Sequence, residues 1–150
     1  MLSSFNKCCS TLTSNGVVAL PTETVYGLAA NALSESAVKE IYRLKGRPKQ
    51  NPLIIHILEP SDAEKVAFTN SSFVKLTESL WPGPLSVILR AKEIVPKITT
   101  GGLETVALRS PKSEIFRNVL KKTKLFLAAP SANISNRLSP TQAIHVLDSF

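Results

Sequence analysis

Lys45, Arg47 and Lys49 crowd one loop of the sequence, KGRPKQNPL from Lys45 to Leu53. A guanidinium presents a planar fork of donors that matches phosphate or carboxylate, and Pro48 and Pro52 stiffen the backbone that carries it. The chemistry such a loop serves is anion binding; standing alone, it is also what an ordinary solvated turn looks like. PTETVYGL, from Pro21 to Leu28, places Thr22, Glu23, Thr24 and Tyr26 at the exit of an apolar run. Those side chains can hydrogen-bond a small zwitterion or a phosphate, or simply form a turn, and Gly27 permits a close backbone approach. APSANIS, from Ala129 to Ser135, ends another apolar run in Ser131 and Asn133, with Ser139 beyond. His56 stands alone in PLIIHIL, where alternation sets it on the face opposite Ile55 and Ile57. A lone histidine there is ordinarily a satisfied core residue. Thr99, Thr100, Gly101 and Gly102 read as a flexible loop whose backbone N–H groups can approach phosphate, and Thr105 opens the apolar run after it.

Strand ends that close in small polar residues are where open α/β sheets place ligands. Three of them predict one convergent polar pocket. GVVALP, PLIIHIL, LSVILR, TVALR and KLFLAAP read as strands, and the stretches Ser34–Gly46, Ser71–Leu80 and about Ile115–Leu120 as helices. Ser61 to Glu64 and Ser139 to Gln142 have the pattern of helix-opening capping boxes. Alternating strands and helices predict an α/β domain with a mixed sheet, one domain across residues 1–150. Ala143, Leu147 and Phe150 share one face of a final helix. The first fourteen residues, rich in Ser and Thr but without arginine, read as a short lead-in.

Composition narrows the chemistry. A net charge of +7 favours anionic partners such as nucleotides or RNA, though it also describes a plain basic surface. The two cysteines, Cys8 and Cys9, are adjacent, so no intrachain disulfide framework forms and a reducing compartment fits. No Cys/His spacing suits zinc, no stretch has transmembrane length, and neither GxxxxGK[ST] nor GxGxxG occurs. No Ser-His-Asp or Cys-His nucleophile pattern stands out.

In their order, PTETVYGL, KGRPKQNPLIIH and APSANIS resemble the YrdC/Sua5 family, the threonylcarbamoyl-AMP synthases, from about Gly16 to Thr141. The resemblance implies a YrdC-like twisted mixed sheet flanked by helices around a basic cleft. It implies a cytoplasmic nucleotidyltransferase that makes threonylcarbamoyl-AMP and pyrophosphate from L-threonine, bicarbonate and ATP. The product would pass to a tRNA threonylcarbamoyl-transferase, with tRNA or double-stranded RNA as a further contact and no membrane. Mg²⁺ would accompany ATP, held largely by phosphates and water rather than by protein ligands. By the same resemblance Lys45 and Arg47 offset developing charge. Thr24, His56, Arg109 and Ala129 take L-threonine; Arg47, Asn51, Thr105, Ser131 and Ser139 take ATP. Where the family often has Gly-Arg-Pro this chain has Asn136, Arg137 and Leu138. Family members also continue with a Gly-Gly and Glu-Ser-Thr-Val-like segment, so a domain incomplete at its C-terminal end is expected. The alternative, from another class, is a non-enzymatic RNA-binding module. Aromatics at 6% offer it few stacking platforms.

Overall fold

The computed structural model describes residues 2–150. A capped helix, α2 (Glu35–Lys45), shows how the sequence sets its elements. Ser34 accepts from the Ala37 N–H at the start, and Gly46 ends the helix in the left-handed conformation at φ 58°. Val38, Ile41, Tyr42 and Lys45 form its buried face. The helices α3 (Ser71–Leu80) and α4 (Glu114–Thr123) begin the same way, on Asn70 and Ser113.

Seven strands among the described residues make one sheet: β1 (Val18–Pro21), β2 (Tyr26–Asn31), β3 (Ile54–His56), β4 (Ala67–Phe68), β5 (Val87–Ala91), β6 (Thr105–Arg109) and β7 (Leu127–Ala128). Their order is β1-β2-β7-β3-β6-β5-β4. Of these, only β3 and β6 pair in parallel, with Ile54 opposite Ala107 and His56 opposite Arg109; the other named pairings are antiparallel. The predicted mixed α/β sheet is therefore the observed one.

Period-two alternation divides the core. Ile55, Ile57, Val106 and Leu108 pack with Val38, Ile41 and Tyr42 of α2 and Phe73 of α3. On the other face Leu20, Ala29, Leu127 and Ala129 meet Phe116, Val119 and Leu120 of α4, and Cys9 and Leu12 of α1 (Leu2–Thr13). Each large apolar side chain so buried contributes about 1.5–3 kcal/mol.

Four local expectations are corrected. The Ser/Thr-rich lead-in is the helix α1, whose hydroxyls bond back along the helix, Ser10 to Lys7 O and Thr13 to Cys9 O. Phe5, Cys8, Cys9 and Leu12 have helical spacing, hidden among poor helix formers. Tyr26–Asn31 is a strand, not part of a strand exit, because Thr22 closes a tight turn: it donates to Val25 O at 2.7 Å and accepts from the N–H groups of Thr24 and Val25. The short turn at Pro60–Lys65 is boxed by Glu59 and Asp62 rather than by Ser61 and Glu64. The last helix, α5, spans Ala143–Leu147 from an N-cap at Gln142, so Ser139 does not cap it.

The loop at Thr99–Gly102 is also more structural than its sequence indicates. Thr99 and Thr100 are buried, and Thr99 donates to Ala32 O at 2.9 Å. Gly101 has φ +64°, and a Cβ there would lie 2.6 Å from Gln50 O. Gly101→Ala is expected to destabilise by about 1–3 kcal/mol through backbone strain and displacement of the Lys49–Asn51 loop. Gly102→Ala, at φ +87° with nothing within 4 Å, should cost less. Thermal melting of both variants checks this; equal losses would contradict it.

Candidate functional site

Strand β3 and strand β6 run side by side, so Ile54, His56, Thr105, Ala107 and Arg109 share a face. Helix α4 covers the end of this face nearest His56, whose ring centroid is 5.0 Å from that of Phe116. Toward the strand starts the cover stops: Ile54 and Ala107 are half-buried and Thr105 is exposed. This uncovered part of the sheet is the candidate cleft.

One end is built around Arg109, which is 8% exposed. Its Nε donates to Gly83 O at 3.2 Å, and its Nη2 lies 2.8 Å from Glu23 Oε1 and 3.4 Å from Thr24 Oγ1. The tip of the β1–β2 hairpin thus reaches across the sheet to a strand three places away. Burial pushes the Glu23 carboxyl up, but the bond from Arg109, backbone N–H groups including that of Lys112, and the Arg109 charge together hold it below the usual carboxylate range. His56, 2% exposed, lies behind, and its Nδ1 has no hydrogen-bond partner among the described residues. Burial first, then the Arg109 charge, lowers its pKa to about 4. The imidazole is therefore neutral at pH 7.

That shift has a stability consequence. Between pH 4 and 6.5 the unfolded chain holds the His56 proton and the folded chain does not. Stability therefore falls as pH drops through this window, by roughly 3 kcal/mol from this group. His56→Gln should flatten that acid slope in urea titrations at pH 4.5 and 7; an unchanged slope would contradict it.

The other end is built from Lys45, which closes α2 rather than lying in the loop as its sequence suggests, the Gly46–Leu53 loop after it and the segment after β7. Lys45, 1% exposed, donates from Nζ to Ser131 O and Asn133 O, each at 2.5 Å. Burial, then the nearby Arg47, lowers its pKa to about 8. Arg47 is half-buried and donates from Nε to Asn51 O at 3.3 Å and from Nη2 to Pro52 O at 3.2 Å. Its Nη1 has no partner among the described residues. Tyr42 steadies the same loop by donating to Asn51 O at 2.8 Å.

The remaining predicted residues sit on separate segments. Ala129 is buried beside β3 and donates its N–H to Ile54 O; Ser131 bridges to Gly27. A Cβ on Gly27 would come within 3.2 Å of Ala129 Cβ, so the small residues let the two segments close. Thr105 opens β6 opposite Arg90 of β5. Ser139 is exposed; Pro140 O, next to it, accepts from Tyr26 N–H at 2.8 Å. Thr24 touches Arg109 directly, whereas the side chains of Thr105, Ser131 and Ser139 make no hydrogen bond to one another among the described residues.

The family model described as Sua5_yciO_yrdC, "Telomere recombination", matches residues 10–150. The chain belongs to this family. It is 50% identical to a threonylcarbamoyl-AMP synthase of Pyrococcus abyssi over 89% of its own length and 40% of that protein's. It is 48% identical to a threonylcarbamoyl-AMP synthase of Bacillus subtilis, over 90% and 40%. The crystal structure of P. abyssi Sua5 complexed with L-threonine superposes with a TM-score of 0.96 at 45% identity, covering all of this chain and 44% of that one. The chain thus spans about 40% of the length of the curated relatives it matches.

Within this Sua5/YrdC domain, two pairings at the candidate site are not legible in the sequence. Glu23 shows there only as an acid in PTETVYGL; its partner Arg109 is distant along the chain and no local signal pairs them. Asn133 shows as a polar residue after an apolar run, without its partners. It donates from Nδ2 to Ile134 O and Arg137 O and so shapes the segment that receives Lys45. No helix is long and apolar enough to cross a membrane among the described residues.

Proposed function

We propose that this chain carries the catalytic cleft of an L-threonylcarbamoyladenylate synthase in a single YrdC-like domain, acting in the cytoplasm. The observation that carries the reading is the pairing of two unlike ends on one open sheet face. The Arg109–Thr24–His56 end suits a small amino acid, and the Arg47 end suits phosphates. The superposition on an L-threonine complex supports that assignment.

In this reading Arg109 holds the α-carboxylate of L-threonine, Thr24 and the neutral His56 supply further polar contacts, and Ala129 leaves room for the side chain. The threonine amine attacks the bicarbonate carbon, a C–O bond breaks and water leaves, so that the carboxylate stays on the threonine nitrogen. One oxygen of that carbamate attacks the α-phosphorus of ATP, the bond to the bridging oxygen breaks, and pyrophosphate leaves. Arg47, with Nη1 unengaged, faces the phosphates; Asn51, Thr105, Ser131 and Ser139 contact the nucleotide. Lys45 supplies charge from behind while holding the Ser131–Asn133 backbone in place. Rate enhancement comes from proximity and charge complementarity, which need no protein nucleophile. Mg²⁺ would accompany ATP, held largely by its phosphates and water. The product then passes to a transferase acting on tRNA.

The test is pyrophosphate release from ATP in bicarbonate buffer with and without L-threonine. Release that requires L-threonine is expected. Release that ignores it, or RNA binding without release, would overturn the reading. Within the same assay Thr24→Val should raise the KM for L-threonine by roughly tenfold or more while leaving that for ATP within about twofold; equal changes in both would contradict the proposed division of the cleft.

A further inference from the structure

Arg109 does not face the cleft as a free cation. Its Nη2 is paired with Glu23 at 2.8 Å, the two side chains being 10% and 18% exposed. Gly83 O fixes the guanidinium from behind. Gly83 lies outside the hairpin that carries Glu23, so Arg109 is held from two separate segments. His56 adds no charge at neutral pH. The Arg109 and Glu23 charges therefore offset one another at this end of the cleft. The Arg47 charge is not offset in this way: Arg47 bonds only backbone carbonyls among the described residues, and neighbouring Lys49 is exposed.

We propose that Glu23 is a specificity-determining residue: by neutralising Arg109 it reserves that end of the cleft for a zwitterionic amino acid and turns phosphate away. This rests on the proposed function, in which the amino acid's carboxylate meets Arg109. Arg109 Nη1, unpaired among the described residues, is the donor left for that carboxylate. A zwitterion brings one charge of each sign to a site that offers one of each. A phosphate dianion brings only negative charge beside a desolvated carboxylate, where like-charge contact is costly. Discrimination by repulsion of the wrong ligand is as effective as attraction of the right one. It would keep ATP phosphates from occupying the amino-acid end and so enforce one orientation of the two substrates.

The experiment compares the chain with Glu23→Gln and Glu23→Asp. L-threonine binding is measured by calorimetry, and inorganic phosphate is titrated while the Arg109 Nε–H resonance and the Arg47 backbone resonance are followed by NMR. In the unsubstituted chain phosphate should shift Arg47 and leave Arg109 unmoved. Glu23→Gln should weaken L-threonine roughly tenfold or more, let phosphate shift Arg109, and let phosphate compete with L-threonine. Glu23→Asp, which keeps the charge, should retain the original order of preference. A phosphate response at Arg109 in the unsubstituted chain, at the concentrations that shift Arg47, overturns the proposal whatever the variants do. So does a Glu23→Gln variant that stays blind to phosphate, or a Glu23→Asp variant that behaves like Glu23→Gln. If the unsubstituted chain binds no L-threonine, the proposed function fails, while the phosphate arm still decides the role of Glu23.

Discussion

Arg47→Ala is expected to lower ATP-dependent pyrophosphate release by about 10²–10³-fold, the scale of removing one preorganised electrostatic group. The guanidinium acts twice. Its Nη1 is available to phosphate, while Nε and Nη2 close the loop onto Asn51 O and Pro52 O. Arg47→Lys keeps the charge but loses the fork, so it should fall between the two. The fold should survive, because Arg47 is only half-buried and contributes nothing to either large apolar cluster. Steady-state kinetics with a melting curve for each variant decides the matter. Turnover within twofold of the unsubstituted chain would remove Arg47 from the nucleotide end.

Lys45→Met should have the largest effect on stability. Lys45 is buried, and its ammonium satisfies two carbonyls, those of Ser131 and Asn133. Methionine fills the space but leaves both acceptors unpaired in the interior. Hydrogen bonds to a charged group contribute about 1.5–3 kcal/mol each, so a loss of roughly 3–5 kcal/mol is expected. That is a large part of a typical domain's total of about 5–15 kcal/mol. Urea unfolding measures it; a shift below about 1 kcal/mol would show that water replaces the ammonium and that Lys45 is not a structural clamp.

The physical signals that read well are local. Ser34 with Gly46 bounds α2, the helical spacing about Ile115–Leu120 becomes α4, and the apolar runs before Leu58 and Arg109 become β3 and β6. What does not read is long-range or masked. The helix α1 hides its apolar face among serines and threonines, and the small residues of β2 carry no strand propensity. The loop at Gly101 reads as a backbone donor site, yet it buttresses Gln50. At the site, residue types are legible and partners are not. Lys45 bonds carbonyls far along the chain, and Arg109 meets an acid on the far hairpin, because register and twist bring them together. The roles of Thr24, His56, Arg109 and Ala129 come through resemblance; the fold adds the contact of Thr24 with Arg109 and the register of His56 with Arg109, while Ala129 lies beside Ile54.

A single cleft divided between an amino acid at Arg109 and ATP at Arg47 has a distinctive signature in solution. NMR mapping of the chain with L-threonine alone, with ATP alone and with both reads it without any substitution. L-threonine should move Thr24, His56 and Arg109 first, ATP should move Arg47, Asn51 and Ser131 first, and both sets should move together when both ligands are present. Overlapping shifts with mutual displacement of the two ligands, or L-threonine shifts confined to residues outside the cleft, would contradict that division.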